Sequence, residues 1–293
     1  MSEIKKFALI GASGYIASRH VEAIKNTDNN LVACVDPYDG IGYIDKYFPE
    51  ASYFKEVERF DRHLDRLRRK GNKVDYISIC SPNYLHDAHI RLSLRNGSDV
   101  ICEKPLVLKP EHLRSLKEIE KETQNKINTI LQLRLHPSII KLKEKYKNTT
   151  KKHKISLQYI TPRGSWYNYS WKGDIGKSGG VVSNIGIHFF DMLIWIFGKV
   201  ESYTVSNTAR TSSGIVNLQN AIVDYKLSIN KEDLPWNEWK PFRSILIDNK
   251  ELEFSEGFTD LHTESYKNIL TGNGFGIDDA ADSIELVYNL KNE

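Results

Sequence analysis

The sequence predicts an α/β chain in two parts. A parallel sheet wrapped by helices occupies residues 1–125, and an α+β part with a large, mainly antiparallel sheet occupies 126–293. Three observations predict this. The 293 residues suit two domains at roughly 150 residues each. Short β-rich runs alternate with helical patterns through the first 130 residues, and that alternation implies parallel strands covered on both faces. Beyond the middle, strand-like runs follow one another without helices between them, which favours antiparallel pairing.

In chain order, the first part offers strands at 6–10, 31–36, 74–80, 99–102 and 127–133. Helices are expected between them at 16–26, 59–70, 85–96 and 110–124. The last opens with Pro110, suited to a first helical turn, and sets Leu113, Leu116 and Ile119 at helical spacing. The second part begins with a helix at 137–147 and an alternating strand in HKISLQYIT. An apolar helix at 183–197 precedes strands at 202–208, 221–229, 242–247 and 251–254.

Composition excludes several functions. A net charge of +3 is small beside 41 basic and 38 acidic residues, and no stripe is basic enough to predict nucleic-acid binding. The most apolar run, 187–197, is about half the ~20 residues of a membrane span and contains His188 and Asp191. The N-terminus lacks the h-region of a signal peptide, so a cytoplasmic protein is expected. Cys34, Cys80 and Cys102 sit in apolar runs without CxxC spacing, which argues against a disulfide framework and structural zinc. All five tryptophans lie beyond residue 160, in the half without cysteine.

The first strand runs into Gly11-Ala12-Ser13-Gly14-Tyr15-Ile16-Ala17. Glycines after a strand and before a helix let backbone amides approach a diphosphate at the helix N-terminus. The spacing is G-x-x-G-x-x-A, with Ser13 at the usual second-glycine position. The second strand ends at Asp36, 25 residues after Gly11, where an acid holds a ribose diol and repels a 2′-phosphate. Together these predict a Rossmann dinucleotide domain that prefers NAD to NADP. Later strands end in Ser81-Pro82-Asn83-Tyr84-Leu85-His86 and Glu103-Lys104-Pro105, at the sheet edge where ligands bind in open α/β folds. Gly11, Ser13, Gly14, Tyr15, Ile16, Asp36, Ser81, Asn83, His86, Glu103 and Lys104 are the candidate cofactor residues.

In the second part, Gly179-Gly180 leads into the apolar helix carrying Asn184, His188 and Asp191 at i, i+4 and i+7. At ~100° per residue these form one polar stripe, facing a site, a partner or a buried network. The His188/Asp191 pair lacks further evident ligands, so no metal is expected. His86 and His89 read as surface or cofactor-edge residues, and His20 and His136 carry no assignment.

The motifs EKPLV, SPNYLH and GGxxxNxGxHxxD resemble the glucose–fructose oxidoreductase/inositol dehydrogenase family of NAD(P)-dependent sugar oxidoreductases, over essentially the whole chain. The segments TPRGSWYNYSWKGD, NIGIHFFDMLIWIFG and FSEGFTDLHTESY are similar to the branch that oxidises the 3-hydroxyl of UDP-N-acetyl-2-amino-2-deoxy-D-glucuronate. That resemblance implies a step toward 2,3-diamino sugars of bacterial surface polysaccharide (lipopolysaccharide O-antigen). It also implies tightly held NAD, recycled in some relatives by 2-oxoglutarate, and a homotetramer. It assigns Lys104 and His188 as the catalytic pair, while Asn184 stands where many relatives have aspartate. Arg163, Lys172 and Lys177 answer the substrate's carboxylate and diphosphate, and Trp166, Tyr167 and Trp171 cover sugar or uracil faces or form an aromatic core. Arg134 resembles the family's R-x-x-P position near the substrate. Another sugar dehydrogenase or ketosugar reductase, and a non-catalytic NAD-binding regulator, are the alternatives.

Overall fold

The structure, a computed structural model, describes residues 3–252 and 260–293. The chain forms two compact units. The first comprises Met1–Val107, Glu111–Gln132 and Thr259–Asp279; the second comprises Leu108–Pro110, Leu133–Phe258 and Ala280–Glu293.

The first unit is built from β1 (Lys6–Ile10), α1 (Ala17–Asn26), β2 (Asn30–Val35), α2 (Gly42–Tyr47), β3 (Ser52–Phe54) and α3 (Val57–Arg69). It continues through β4 (Tyr76–Ile79), α4 (His86–Arg95), β5 (Asp99–Cys102), α5 (Pro110–Thr123) and β6 (Ile127–Thr129). Six strands pair in the order β3-β2-β1-β4-β5-β6, all parallel. The order reverses between β1 and β4, which opens a crevice at their carboxyl ends. Phe7, Leu9, Ile77, Ile101 and Cys34 are buried beneath the helices, as strands covered on both faces require. Each such side chain contributes roughly 1.5–3 kcal/mol by leaving water.

Two short elements, α2 and β3, escape sequence reading, because six and three residues carry too little periodicity. The strand expected at 127–133 stops at Thr129, where the chain turns into a 3₁₀ segment, Gln132–Leu135.

The second unit contains α6 (Pro137–Tyr146), β7 (His153–Ile160), α7 (Trp166–Tyr169), α8 (Ile175–Ser178), α9 (Ile187–Phe197), β8 (Val200–Asn207), β9 (Thr211–Leu218), β10 (Ala221–Ser228), β11 (Phe242–Ile247) and β12 (Lys250–Glu251). Its sheet runs β12-β11-β7-β10-β9-β8, antiparallel throughout except for the parallel β10–β7 pair. The buried-exposed alternation of β10 shows one covered face. β9 is unannounced in the sequence, since its polar TSSG half reads as a turn. The strand expected at 251–254 appears only as β12, and residues 253 and 254 lie outside the described residues, as do residues 254–259 of the FSEGFT motif.

Two C-terminal helices, α10 (Leu261–Leu270) and α11 (Ile277–Asn292), complete the chain. The expected boundary near residue 125 falls inside the first unit, and α10 belongs to that unit as well. It does so because Tyr266 and Ile269 bury in the core formed by Phe7, Val21 and Ile24. The stretch 175–197 is long and apolar enough to cross a membrane by length and composition, unlike the shorter run read from sequence. Its most apolar window is 78% buried within the protein, which is the behaviour of a core helix.

Candidate active site

The glycine turn is shaped for close backbone approach. Gly11 has φ +86°, and a Cβ there would lie 2.5 Å from the Ser81 amide nitrogen. The Gly11 and Ala12 amides both donate to the Val35 carbonyl, tying the turn to β2. Asp36 is 8% exposed. Its carboxylate accepts the Ser13 amide at 2.9 Å and the Tyr38 amide at 2.9 Å. It therefore orders the loop and keeps lone pairs for a ribose diol. Tyr15 is exposed and Ile16 packs on the core, so the turn presents one side chain outward and anchors the next. The residues present fit an NAD diphosphate and adenosine ribose.

The two polar turns after β4 and β5 are more buried than their composition suggests. Ser81, Asn83, His86 and Glu103 are all at most 7% exposed, while Lys104 is half-buried between buried neighbours. His86 Nδ1 lies 2.7 Å from the Pro105 carbonyl oxygen, and Nε2 lies 2.9 Å from that of Ser81. His89 Nδ1 meets Ser81 Oγ at 2.9 Å. These histidines face inward on α4, together with Ile90 and Ser93 at helical spacing. Their burial rules out the surface reading of both, and the side chain of His86 meets the protein's own carbonyls. Burial, with His86 beside it, pushes His89 down to about 4. Burial also lowers His86, against the pull of the two carbonyls.

Glu103 is likewise turned inward. Its Oε1 receives His20 Nε2 at 3.0 Å and His262 Nε2 at 2.9 Å, and its Oε2 accepts the Lys104 amide at 3.3 Å. His20 Nδ1 continues to the Tyr266 hydroxyl at 2.8 Å, which meets Ser78 Oγ at 2.5 Å. Burial is the largest influence and opposes ionisation of Glu103, but the hydrogen bonds and electrostatic attraction of His20 and His262 together hold the carboxyl well below its usual range. Its side chain is thus engaged within the first unit. The ligand atoms of His20, Glu103 and His262 lie within 4.8 Å of one another, close enough to receive a metal ion. Here each imidazole meets the carboxylate directly. In the sequence His20 carries no assignment, and nothing singles out His262 or Tyr266 by itself. Their i, i+4 spacing in DLHTESY was the available signal.

In the second unit, the polar stripe divides. Gly179 and Gly180 adopt left-handed φ values of 81° and 75°, and a Cβ on Gly179 would meet Ser183 Oγ at 2.5 Å. The next turn, Val182–Gly186, is a π-helix before α9 begins. Such turns shift side-chain phase and recur at functional sites. Asn184 and His188 are half-buried on an otherwise buried segment. Asn184 Nδ2 donates to the Tyr167 hydroxyl at 3.2 Å and to the Lys172 carbonyl at 3.3 Å.

Asp191, 2% exposed, instead takes a bidentate fork from Arg134, with Nε–Oδ2 3.0 Å and Nη2–Oδ1 2.8 Å. Arg134 is 5% exposed and stacks 5.7 Å from the Trp195 ring centre. Its Nε and Nη2 are thus engaged by Asp191. His136 is explained too: its ring accepts the Ser138 amide and caps α6, with Pro137 in the first turn.

The loop from 161 to 178 gathers the remaining candidates. Lys172 is half-buried, with its ammonium 5.9 Å from the Trp166 ring centre and 5.7 Å from that of Trp171. Burial lowers its pKa, and nearby Arg163 lowers it further. Among the described residues, neither Arg163 nor Lys172 pairs with a carboxylate. Lys177 is exposed and sits 3.7 Å from Asp174, which caps α8. Trp166 is 50% exposed. Arg210, silent in the sequence, holds this loop by donating to the carbonyls of Arg163 and Ile229 and to Asn168. A cavity of about 200 Å³ opens here, lined by Tyr167, Lys172, Gly173, Gly180 and Thr211 among others. A larger one of about 510 Å³, beside Tyr146 and His153, holds none of the candidate residues.

The parallel sheet with its switch point, the glycine turn and Asp36 define an NAD-binding dehydrogenase-type domain joined to a second α/β unit. The profile of the oxidoreductase family with NAD-binding Rossmann fold (GFO/IDH/MocA) matches residues 5–130, and that of its C-terminal alpha/beta domain matches residues 151–226. The chain belongs to the GFO/IDH/MocA oxidoreductase family. It is similar to the inositol 2-dehydrogenase of Rhizobium meliloti, 27% identical over 70% of this chain and 58% of that protein. It is also similar to the glucose-6-phosphate 3-dehydrogenase of Bacillus subtilis, 23% identical over 98% of this chain and 73% of that protein. The chain thus spans little more than half the length of the first of these relatives. Among solved structures, the WlbA (WbpB) dehydrogenase from Thermus thermophilus is 46% identical, with a TM-score of 0.95. The match covers 98% of this chain and 95% of that one. That protein was crystallised with NAD and alpha-ketoglutarate, and with NAD and UDP-GlcNAcA.

Proposed function

We propose that this protein oxidises the 3-hydroxyl of UDP-N-acetyl-2-amino-2-deoxy-D-glucuronate to the 3-keto sugar nucleotide, using NAD. The observation that carries this is the full-length likeness to the Thermus thermophilus dehydrogenase, at 46% identity, whose structures hold NAD and UDP-GlcNAcA. Arg163 and Lys172, cations without carboxylate partners among the described residues, support an anionic substrate in the second unit.

Secondary-alcohol oxidation removes a hydride from carbon and a proton from oxygen. NAD, when bound, accepts the hydride. The turn from Gly11 to Gly14 lets its diphosphate approach the Tyr15 and Ile16 amides at the start of α1, and Asp36 takes the ribose hydroxyls. His188 takes the hydroxyl proton, a task suited to imidazole near neutral pH. Lys104 holds the same hydroxyl and stabilises the alkoxide charge as it develops. Arg163 and Lys172, with Lys177, answer the carboxylate and diphosphate, while Trp166 covers a flat face and Asn184 orients the sugar. The protein acts as a cytoplasmic homotetramer in surface-polysaccharide synthesis, and 2-oxoglutarate, the counterpart of the relative's alpha-ketoglutarate, regenerates NAD. Incubating the protein with UDP-N-acetylglucosaminuronate, NAD and 2-oxoglutarate is expected to yield a sugar nucleotide about two mass units lighter. Turnover of inositol or glucose 6-phosphate but not of the UDP-sugar would replace this reading with a different sugar dehydrogenase.

A further inference from the structure

Lys104 stands between two residues that are each held by buried histidines. Upstream, the Glu103 carboxylate takes His20 from α1 and His262 from α10. Downstream, the Pro105 carbonyl takes His86 from α4 at 2.7 Å. His20, His86 and His262 are 0%, 0% and 9% exposed, so water does not compete for these contacts. Three separate helices therefore grip the chain on both sides of one half-buried lysine. We infer that His20, His86 and His262 are positioning residues for Lys104, and that α10 returns to the first unit partly to deliver His262. The inference rests on the proposed role of Lys104 in turnover.

The physical argument is one of tolerance. A lysine side chain has four rotatable carbons, so its ammonium is located only as well as its backbone is. Displacing a reacting contact by about 1 Å costs on the order of 10²-fold in rate. A buried carboxylate with two imidazole donors is satisfied and stiff, whereas losing one donor leaves charge unmet and the turn free to shift. Tyr266 and Ser78 extend the same chain through His20, so its tautomer is set from behind. Metal binding by His20, Glu103 and His262 is the competing use of this cluster. The 2.9 and 3.0 Å nitrogen–oxygen contacts are hydrogen-bond lengths, and both imidazoles converge on one carboxylate oxygen.

A pair of variants at one position tests the inference. In His262→Gln the side-chain amide can stand where Nε2 stands and still donate to Glu103; in His262→Asn it falls short. Both are polar and close in volume, so a purely structural role would treat them alike. The purified enzymes are assayed with UDP-N-acetylglucosaminuronate, and NAD affinity is measured by titration. His262→Asn is expected to lower kcat by about 10- to 100-fold, with KM and NAD affinity within twofold of the parent. His262→Gln is expected to recover most of that loss. Equal kcat values for the two variants overturn the inference. So does a stoichiometric, chelator-removable metal lost on His262→Asn. A Lys104→Met enzyme, run alongside, must lose turnover; if it keeps it, the role of Lys104 itself falls and the positioning role with it.

Discussion

The turn bearing Lys104 and the helix bearing His188 solve one problem differently. Each presents a single half-buried polar side chain from buried surroundings. The first does so with a hydrogen-bonded network around one carboxylate, joining His20, His262, Tyr266 and Ser78. The second does so with a buried ion pair, Arg134–Asp191, beneath a π turn. The difference teaches that adjacency to a candidate catalytic residue does not free a polar side chain for a ligand. Asp191, three residues from His188, and Glu103, next to Lys104, both face away into their own units' supports.

The largest expected effect breaks the comparison at its functional ends. His188→Ala should bind NAD normally and lose about 10²–10⁴ in turnover. Unchanged rates in single-turnover assays would reject His188 as the base. The ion pair comes next. Arg134→Leu takes the guanidinium away from a buried carboxylate and should cost about 3–5 kcal/mol of stability, whereas Arg134→Leu with Asp191→Leu should recover most of it. Urea unfolding of the three proteins decides, and equal losses in single and double variants would deny the pair its structural role.

A third prediction concerns acid and sharpens the first unit's side. His89 falls to about 4 in the fold, against about 6.5 unfolded. The unfolded chain therefore binds a proton that the native chain refuses between those values. Stability is complete above about pH 6.5 and declines as pH falls toward 4, by roughly 3 kcal/mol from this residue. Burial lowers His20 and His86 as well, adding to the loss in the same direction. Protonation of Glu103 adds to it at lower pH still. His89→Gln should flatten the decline between pH 7 and 4.5 in urea titrations; an unaltered slope would place the acid sensitivity elsewhere.

The smallest effect is on selectivity. Asp36→Ser should shift the NAD-to-NADP preference by about tenfold, near 1.4 kcal/mol. Because the carboxylate also holds the Ser13 and Tyr38 amides, affinity for both cofactors should fall somewhat. An unaltered preference, read from the two Kd values, would assign Asp36 to the loop alone.

Much of the fold was legible because repeating physics writes it into sequence. FALIG before Gly11 and Asp36 after LVACV announced a parallel sheet and its phosphate turn, since glycine at φ +86° is a local demand. The half-buried pair Asn184 and His188 was legible as a break in an apolar run. The Arg134–Asp191 pair was illegible because R-x-x-P says nothing about a partner 57 positions away. The short elements α2 and β3, and polar β9, were missed because tertiary pairing, not propensity, stabilises them.

Local sequence alone determined the class of fold, most of its strands and helices, and the residues that are candidates for chemistry. Backbone sterics and burial periodicity act over a few residues. Only the tertiary structure decided which of those side chains are spent on the protein itself. His20, Glu103, His262 and Tyr266 become one network only when α10 is packed on α1 and β4. A buried polar group must find its partner wherever the fold brings one, and sequence distance does not record that requirement.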